Sequence, residues 1–191
     1  MNTLMKLVPI FLLLGVADIH AQNIGDVFGG ISYIQTSIKD ESSTNLGTFK
    51  PTVVGLGLVY VVLDNLALEA NVFNGASDSS LKSRVGTVTV KVKDGYSLGV
   101  RPFMAFNESW GGYAKLARQF GTQSLTEPKI VKASVVQTTT DSSYAHTVYG
   151  LGISYNINPK WGISSEYMWS QKGDAEKSKN NTVGIGLRYK F

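Results

Sequence analysis

The residues of this chain with the clearest chemical potential are charged side chains placed inside otherwise apolar, alternating segments. Two are glutamates and four are cations: Glu69, Arg101, Lys115, Glu166, Arg188 and Lys190. Carboxylates and cations in series could relay protons or ions. They could equally form a paired network that fills the space between strands, because a buried carboxylate is costly unless it is paired.

A second candidate for chemistry is His146, which follows Asp141, Ser142 and Ser143. Nucleophilic catalysis needs a nucleophile and a base within hydrogen-bonding reach of each other. The spacing here matches no hydrolase motif, and a histidine at the rim of a strand is more often a solvated loop residue. The chain has no cysteine, and its loop acids lack calcium-loop spacing. We therefore predict no catalytic, cofactor or metal site.

The elements that must position these residues are strands, because the hydrophobic pattern has a period of two. In the clearest segment, Val54, Leu56 and Leu58 fall on one face, and Gly55 and Gly57 fall on the other. Similar alternation predicts eight strands, of which the first is the weakest: 29–38, 53–62, 66–72, 96–101, 114–119, 149–157, 161–169 and 183–191.

Alternation fits either a soluble sandwich or a membrane barrel, and three features favour the barrel. The polar face is rich in small residues, which leaves room inside a narrow barrel. Short connections alternate with long polar ones. Aromatic residues lie at the strand ends, where rings prefer the membrane interface: Tyr60, Tyr96, Tyr155, Trp161, Trp169, Tyr189 and Phe191. The prediction is an all-β, eight-stranded antiparallel transmembrane β-barrel with short periplasmic turns and long extracellular loops.

The predicted extracellular loops are 39–50, a loop that starts near Asn74, 122–145, which is the longest, and 170–181. Val88, Val90 and Val92 continue the outward phase of Tyr96, so the fourth strand is expected to project beyond the lipid. Residues 130–136 could pair with it and form a raised ridge with an exposed edge that could accept a partner. A long ordered loop is the alternative.

The six charged residues would point into the predicted barrel. Each glutamate precedes, by one strand, an inward arginine. We expect Glu69 to pair with Arg101 or Lys115, and Glu166 to pair with Arg188. A filling network is favoured over an ion path, because eight strands enclose an interior that side chains fill.

The first 21 residues have the layout of a secretory signal peptide. Lys6 precedes an apolar run that is too short to span a bilayer as a helix, and small residues follow it. We predict cleavage after Ala21 and a barrel domain over 22–191. The net charge of +4 suits contact with outer-membrane lipid and lipopolysaccharide, but it is too small to indicate nucleic acid binding.

The layout resembles the small outer-membrane barrels of the OmpX/Ail and OmpA-barrel type. The resemblance lies in the signal peptide, strand 53–62, the hairpin 64–70 and the ending 183–191. A terminal Phe191, with Tyr189 two residues before it, is similar to the signal read by the barrel-assembly machinery. The resemblance implies an outer-membrane location and a role as adhesin, serum-resistance factor, structural protein or poor channel.

Three functions follow from these predictions. The first is a structural or surface-interaction protein whose long loops contact an extracellular protein or surface. The second is a narrow pore for small solutes or ions, which requires a water-filled lumen. The third is a barrel enzyme acting on membrane lipid, which we disfavour because no catalytic constellation is present.

Overall fold

The computed structural model describes residues 23–39, 47–131, 134–170 and 180–191. None of these residues belongs to a helix long and apolar enough to cross a membrane. The described residues form ten strands: β1 (Val27–Lys39), β2 (Thr48–Phe49), β3 (Thr52–Leu63), β4 (Leu66–Ser77), β5 (Ser79–Lys82), β6 (Thr87–Ala105), β7 (Trp110–Val131), β8 (Ser134–Asn156), β9 (Trp161–Ser170) and β10 (Asn180–Lys190).

Eight of the ten strands formed by the described residues close into an antiparallel ring, in the order β1-β3-β4-β6-β7-β8-β9-β10. The ring closes where β1 pairs with β10, from Phe28 opposite Lys190 to Ile38 opposite Asn180. The short strands β2 and β5 add to β1 and β6. The eight-stranded barrel predicted from the alternation is therefore confirmed.

The burial pattern of the ring is the inverse of that of a soluble domain. Large apolar side chains on the outside are strongly exposed, such as Leu56 at 60% and Leu151 at 58%, whereas Val61 inside the ring is fully buried. We call this exposed surface the apolar belt. Since contiguous apolar surface of this extent is not stable in water, the belt is the face that lipid covers.

At one end of the ring, the turn end, the strands are joined by short turns, as predicted. Two of these turns are held by an asparagine side chain. Asn107 Oδ1 accepts hydrogen bonds from the backbone of Ser109 and Trp110 at 3.0 and 2.9 Å. Asn158 Oδ1 accepts them from Lys160 and Trp161 at 2.9 and 2.8 Å. An Asn-x-x-Trp sequence therefore closes both turns by the same local chemistry.

The opposite end, the loop end, differs from the prediction. Residues 122–131 and 134–145 of the longest predicted loop do not form a loop, because β7 and β8 run on as one hairpin from Trp110 opposite Tyr155 to Val131 opposite Ser134; residues 132–133 lie outside the described residues. β5 and the upper part of β6 join this hairpin, and we call the resulting structure the raised sheet. Loop 39–50 contains β2, and the loop after Asn74 contains the end of β4 and β5. Residues 40–46 and 171–179 of the predicted loops lie outside the described residues.

The raised sheet corrects two further predictions. Of residues 130–136, the described ones pair within the β7–β8 hairpin, Ile130 opposite Val135 and Val131 opposite Ser134, rather than with β6. Val88, Val90 and Val92 face inward and are at most 8% exposed, instead of facing outward. The reason is a β-bulge, since the two residues of β6 between Val92 and Gly95 lie opposite the single residue Thr122 of β7. One extra residue exchanges the two faces of a strand.

The ends of the lumen are lined by two apolar clusters of buried residues. Phe28, Val61 and Ala67 pack together at the turn end. Phe49, Val88 and Val90 pack together at the loop end, with Ile38 and Leu81 against them. The charged residues therefore lie between two apolar layers.

Candidate functional site

The centre of the lumen holds a buried carboxylate shared by two cations. Glu69 contacts Lys115 Nζ at 2.5 Å and Arg101 Nη1 at 3.4 Å, and Asn71 donates a hydrogen bond to it at 2.7 Å. Glu69 and Lys115 are only 6% and 7% exposed. The expected pairing of Glu69 is therefore observed, and it involves both of the predicted cations.

The strand register explains this cluster. Glu69 lies opposite Gly99, and Arg101 is two residues further along the same strand, so both side chains point inward in neighbouring rows. Lys115 lies opposite Gly150, where the absence of a side chain leaves room for its long chain. Small inward residues thus provide the space that the charged residues occupy.

The expected pair of Glu166 with Arg188 is not formed. Glu166 lies opposite Gly184, whereas Arg188 lies opposite Gly162, so the two are separated by about 13 Å along the strands. Glu166 is instead 3.8 Å from Lys115 Nζ, and Tyr113 donates a hydrogen bond to it at 3.4 Å. Register cannot be derived from alternation alone, and this is why the predicted pairing was wrong.

Lys190 and Arg188 lie nearer the turn end. Lys190 Nζ contacts Asp26 at 2.5 Å, outside the central cluster. Arg188 donates a hydrogen bond to Asn156 at 2.5 Å and forms no ion pair with a described residue. The six predicted charged residues therefore comprise a central group of four, one lysine that is paired with Asp26 and one arginine that is held by an amide.

Tyr113 was missed by the sequence analysis although it links the central group. The Arg101 guanidinium lies 3.4 Å from the centre of the Tyr113 ring, while the hydroxyl of the same tyrosine reaches Glu166. The sequence signal that could have identified it is the alternation of the strand. Tyr113 is two residues before Lys115, so both side chains are on the inward face.

The central group separates two cavities of about 80 Å³ each. The upper cavity faces the loop end and includes Gln119, His146 and Asn180 in its lining. The lower cavity includes Arg101, Ser164 and Arg188. We call these the upper and lower lumen cavities.

His146 and Asp141 do not form a catalytic pair. Asp141 and His146 are separated by an odd number of positions on β8, so their side chains are on opposite faces of the strand. His146 lines the upper cavity with its ring stacked on Tyr144 at 4.5 Å. Asp141 bonds Lys93 at 2.6 Å and Ser124 at 2.9 Å, and these hydrogen bonds lower the pKa of the Asp141 carboxyl below its usual value. Within the described part of the chain, no group of three or more His, Cys, Asp or Glu residues is arranged to hold a metal.

The predicted interface aromatics lie at the two borders of the apolar belt. At the turn end, the ring centre of Tyr189 lies 4.9 Å from that of Trp161 and 5.4 Å from that of Phe191. The ring centres of Tyr155 and Trp110 are 4.9 Å apart. Towards the loop end, Tyr96 stacks on Phe120 at 5.0 Å, and Trp169 lies 6.3 Å from Tyr149. Tyr60 lies near the turn-end limit of β3.

Arg118 is a further residue that the sequence analysis missed. It lies on the outer side of β7 between Leu116 and Phe120, and it is exposed. Its guanidinium donates a hydrogen bond to Thr147 at 3.2 Å and lies 5.9 Å from the Phe120 ring. It forms no ion pair with any described residue. β7 carries it about 20 Å along the barrel axis from Trp110, near the upper border of the belt.

One edge of the raised sheet is formed by β8. Residues 134–143 of β8 pair with β7, but β9 pairs with β8 only from Val148 to Asn156. Within the described residues, no strand covers the other side of residues 134–143, which are exposed on both faces. We call residues 134–143 the open edge.

Comparison with known proteins gives relatives of the same architecture. A 114-residue stretch is 30% identical to the 31 kDa outer-membrane immunogenic protein of Brucella melitensis, covering 54% of this chain and 44% of that protein. The same figures hold for the Brucella suis protein. The chain therefore spans less than half the length of these relatives.

Two solved structures share the fold. Ail, the attachment invasion locus protein of Yersinia pestis, has a TM-score of 0.59 at 19% identity, covering 88% of this chain and 100% of Ail. OprG of Pseudomonas aeruginosa has a TM-score of 0.57 at 17% identity, covering 91% and 99%. The family model of the outer membrane protein beta-barrel domain matches residues 10–191. The chain therefore belongs to the outer-membrane β-barrel family, and it is a protein of the bacterial outer membrane.

Proposed function

We propose that this barrel acts at the cell surface as a protein-binding adhesin and that the open edge of the raised sheet is its contact site. The observation that carries this proposal is the row of backbone groups along residues 134–143, which no described strand pairs on its outer side. An extended segment of a partner protein can add to such an edge through backbone hydrogen bonds.

The open edge lacks the features that usually prevent strand addition. Natural edge strands carry lysines, prolines or bulges. Residues 134–143 contain no proline and one formal charge, Asp141, whose carboxylate accepts a hydrogen bond from Lys93. The β7–β8 ladder beneath it has no shift of register from end to end. The edge is therefore regular and nearly uncharged.

The experiment is a shortened hairpin. Thr126 faces Thr139, so replacing residues 127–138 by Asn-Gly removes the top of the raised sheet and keeps the register below it. Outer-membrane vesicles that carry the wild-type protein are expected to adhere to an epithelial cell layer, and vesicles with the shortened hairpin are expected to lose this adhesion. Boiling-dependent gel mobility confirms that the shortened barrel has folded.

A second variant isolates the edge from the rest of the hairpin. T138K/T140K places two lysines on the open edge, whereas V85K/T87K places two lysines at the β5–β6 turn. Adhesion should fall in the first variant and persist in the second. Equal adhesion by wild type, shortened hairpin and T138K/T140K would contradict the proposal.

A second candidate is binding of a sulfated or phosphorylated polyanion at the loop end. It is supported by five exposed cations without an ion pair to a described residue: Lys39, Lys50, Lys82, Arg84 and Lys129. A solved structure of Ail, which has a TM-score of 0.57 with this chain, contains the heparin analogue sucrose octasulfate. Retention on immobilised heparin that is lost in K50Q/K82Q/R84Q would support it.

We also propose lipid and assembly contacts. Arg118 is placed to bind a lipopolysaccharide phosphate, since a cation on the lipid side is tolerated only near the headgroups. The aromatic borders are proposed to lie at the two membrane interfaces. Tyr189 and the 77% exposed Phe191 are proposed as the signal for the barrel-assembly machinery. F191A should therefore lower the yield of assembled barrel in cells.

We do not favour enzymatic or pore function. The separation of Asp141 from His146 on opposite faces of β8 argues against a triad there. The ion-paired group between the two lumen cavities argues against a continuous path for solutes. Planar-bilayer recordings that find no resolved conductance, and lipid incubations that yield no hydrolysed product, would support this view.

A further inference from the structure

The charges of the lumen do not balance. Among the described residues, the inward-facing charged groups are three carboxylates, Asp26, Glu69 and Glu166, and four cations, Arg101, Lys115, Arg188 and Lys190. Asp26 is matched with Lys190, and the two glutamates are matched with Lys115 and Arg101. The surplus positive charge therefore belongs to Arg188.

Arg188 is held inside the barrel by neutral groups. Its Nη2 donates to Asn156 Oδ1 at 2.5 Å, and its guanidinium lies 5.4 Å from the centre of the Phe28 ring. A side chain at Gly162 would come within 2.7 Å of Arg188 Nε, so this glycine makes room for the guanidinium. A guanidinium has five N–H donors, and one of them is accounted for by Asn156.

Arg188 lines the lower lumen cavity, which has a volume of about 80 Å³. Arg101 and the hydroxyl-bearing Ser164 line the same cavity. Two guanidinium groups at one small cavity repel each other. Arg188 is only partly exposed, and a partly desolvated cation without a counter-charge is also costly. A small anion would relieve both effects and would find N–H donors of Arg188 beside it.

We propose that the lower lumen cavity is a binding site for a halide-sized inorganic anion, with Arg188 as its principal ligand. The anion completes the charge balance of the lumen, so it stabilises the barrel independently of the raised sheet and of any surface partner.

The first test is anion-dependent stability. The full chain is refolded in detergent micelles at equal ionic strength in sodium chloride or in sodium gluconate, whose anion is too large for the cavity, and its urea midpoint is measured by tryptophan fluorescence. The wild type should be more stable in chloride. In R188M the half-saturating chloride concentration should rise by on the order of tenfold or more. K91M, which removes a cation of the raised sheet that is ion-paired with Asp78, should keep the wild-type dependence.

The second test does not depend on the folding of a variant. Crystals of the wild-type protein grown in sodium bromide should show an anomalous peak beside the Arg188 guanidinium. Absence of this peak, or an R188M protein that keeps the full chloride dependence, would overturn the proposal and assign the cavity to water alone.

Discussion

The lumen and the raised sheet are built from the same strands, yet they satisfy their polar groups in different ways. In the lumen, Glu69 and Lys115 are almost completely buried and form a shared ion pair at 2.5 Å. In the raised sheet, Lys93 and Asp141 pair at 2.6 Å, but their side chains are 40% and 51% exposed. The two ion pairs have similar geometry and very different surroundings.

This difference shows that pairing distance does not determine the contribution of an ion pair. Breaking a buried pair leaves a charge without water or a partner, whereas the members of an exposed pair are solvated when separated. Stability should therefore be concentrated in the ring. The raised sheet can change its side chains at little cost, as suits a contact surface.

The largest expected effect is that of K115M. Removing Lys115 leaves Glu69 and Glu166 without the cation that both contact, which should lower the free energy of unfolding by about 3 to 5 kcal/mol. Urea unfolding from lipid vesicles, followed by tryptophan fluorescence, measures this change. The matched variant K93M in the raised sheet should cost no more than about 1 kcal/mol. Similar losses in both variants would remove the distinction between the two regions.

An intermediate effect is expected for V90K. The β6 bulge turns Val90 inward against Phe49 and Val88, so a lysine there places a charge in an apolar cluster. The free energy of local opening of β5 and β6 should fall by about 2 to 3 kcal/mol, which is observed as faster amide hydrogen exchange. T87K, on the exposed side of the same strand, should leave exchange unchanged. Slow exchange in V90K would mean that position 90 faces outward.

The smallest effect concerns pH. Hydrogen bonds from Lys93 and Ser124 hold the pKa of Asp141 below its usual value of 3.8. A lowered carboxyl pKa adds stability above the unfolded value, and this stability is lost as pH falls through the lowered value. The protection factors of the amides along the open edge, which correct for the intrinsic pH dependence of exchange, should thus be constant from pH 7 to about 5 and fall modestly below about 4. Because Asp141 is exposed, the fall is small, and it should be absent in D141N.

The alternation of Leu56, Leu98 and Leu151 with small residues was sufficient to predict the ring, because lipid selects apolar residues at every second position. Lipid does not contact the raised sheet, so apolar residues are not selected at every second position there. Residues 137–143 are polar on both faces and therefore resemble a loop in sequence, although they pair with β7 without interruption.

Features set by the contacts between strands could not be obtained from the sequence. The residue types at Lys93 and Asp94 do not indicate the bulge that moves the side chains of Val88, Val90 and Val92 from the outer to the inner face of β6. The pairing of Glu166 depends on its register with Gly184, which alternation leaves undetermined. The residues of the lumen could therefore be identified, but their partners required the three-dimensional structure.

The seam between β1 and β10 has a consequence for the order of folding. It joins Phe28 to Lys190, the two ends of the barrel domain, whereas the hairpins closed by Asn107 and Asn158 need only local contacts. Loop-closure entropy makes the most distant contacts the slowest to form. The hairpins should consequently appear in microseconds to milliseconds, and the seam should be the final, rate-limiting event of assembly.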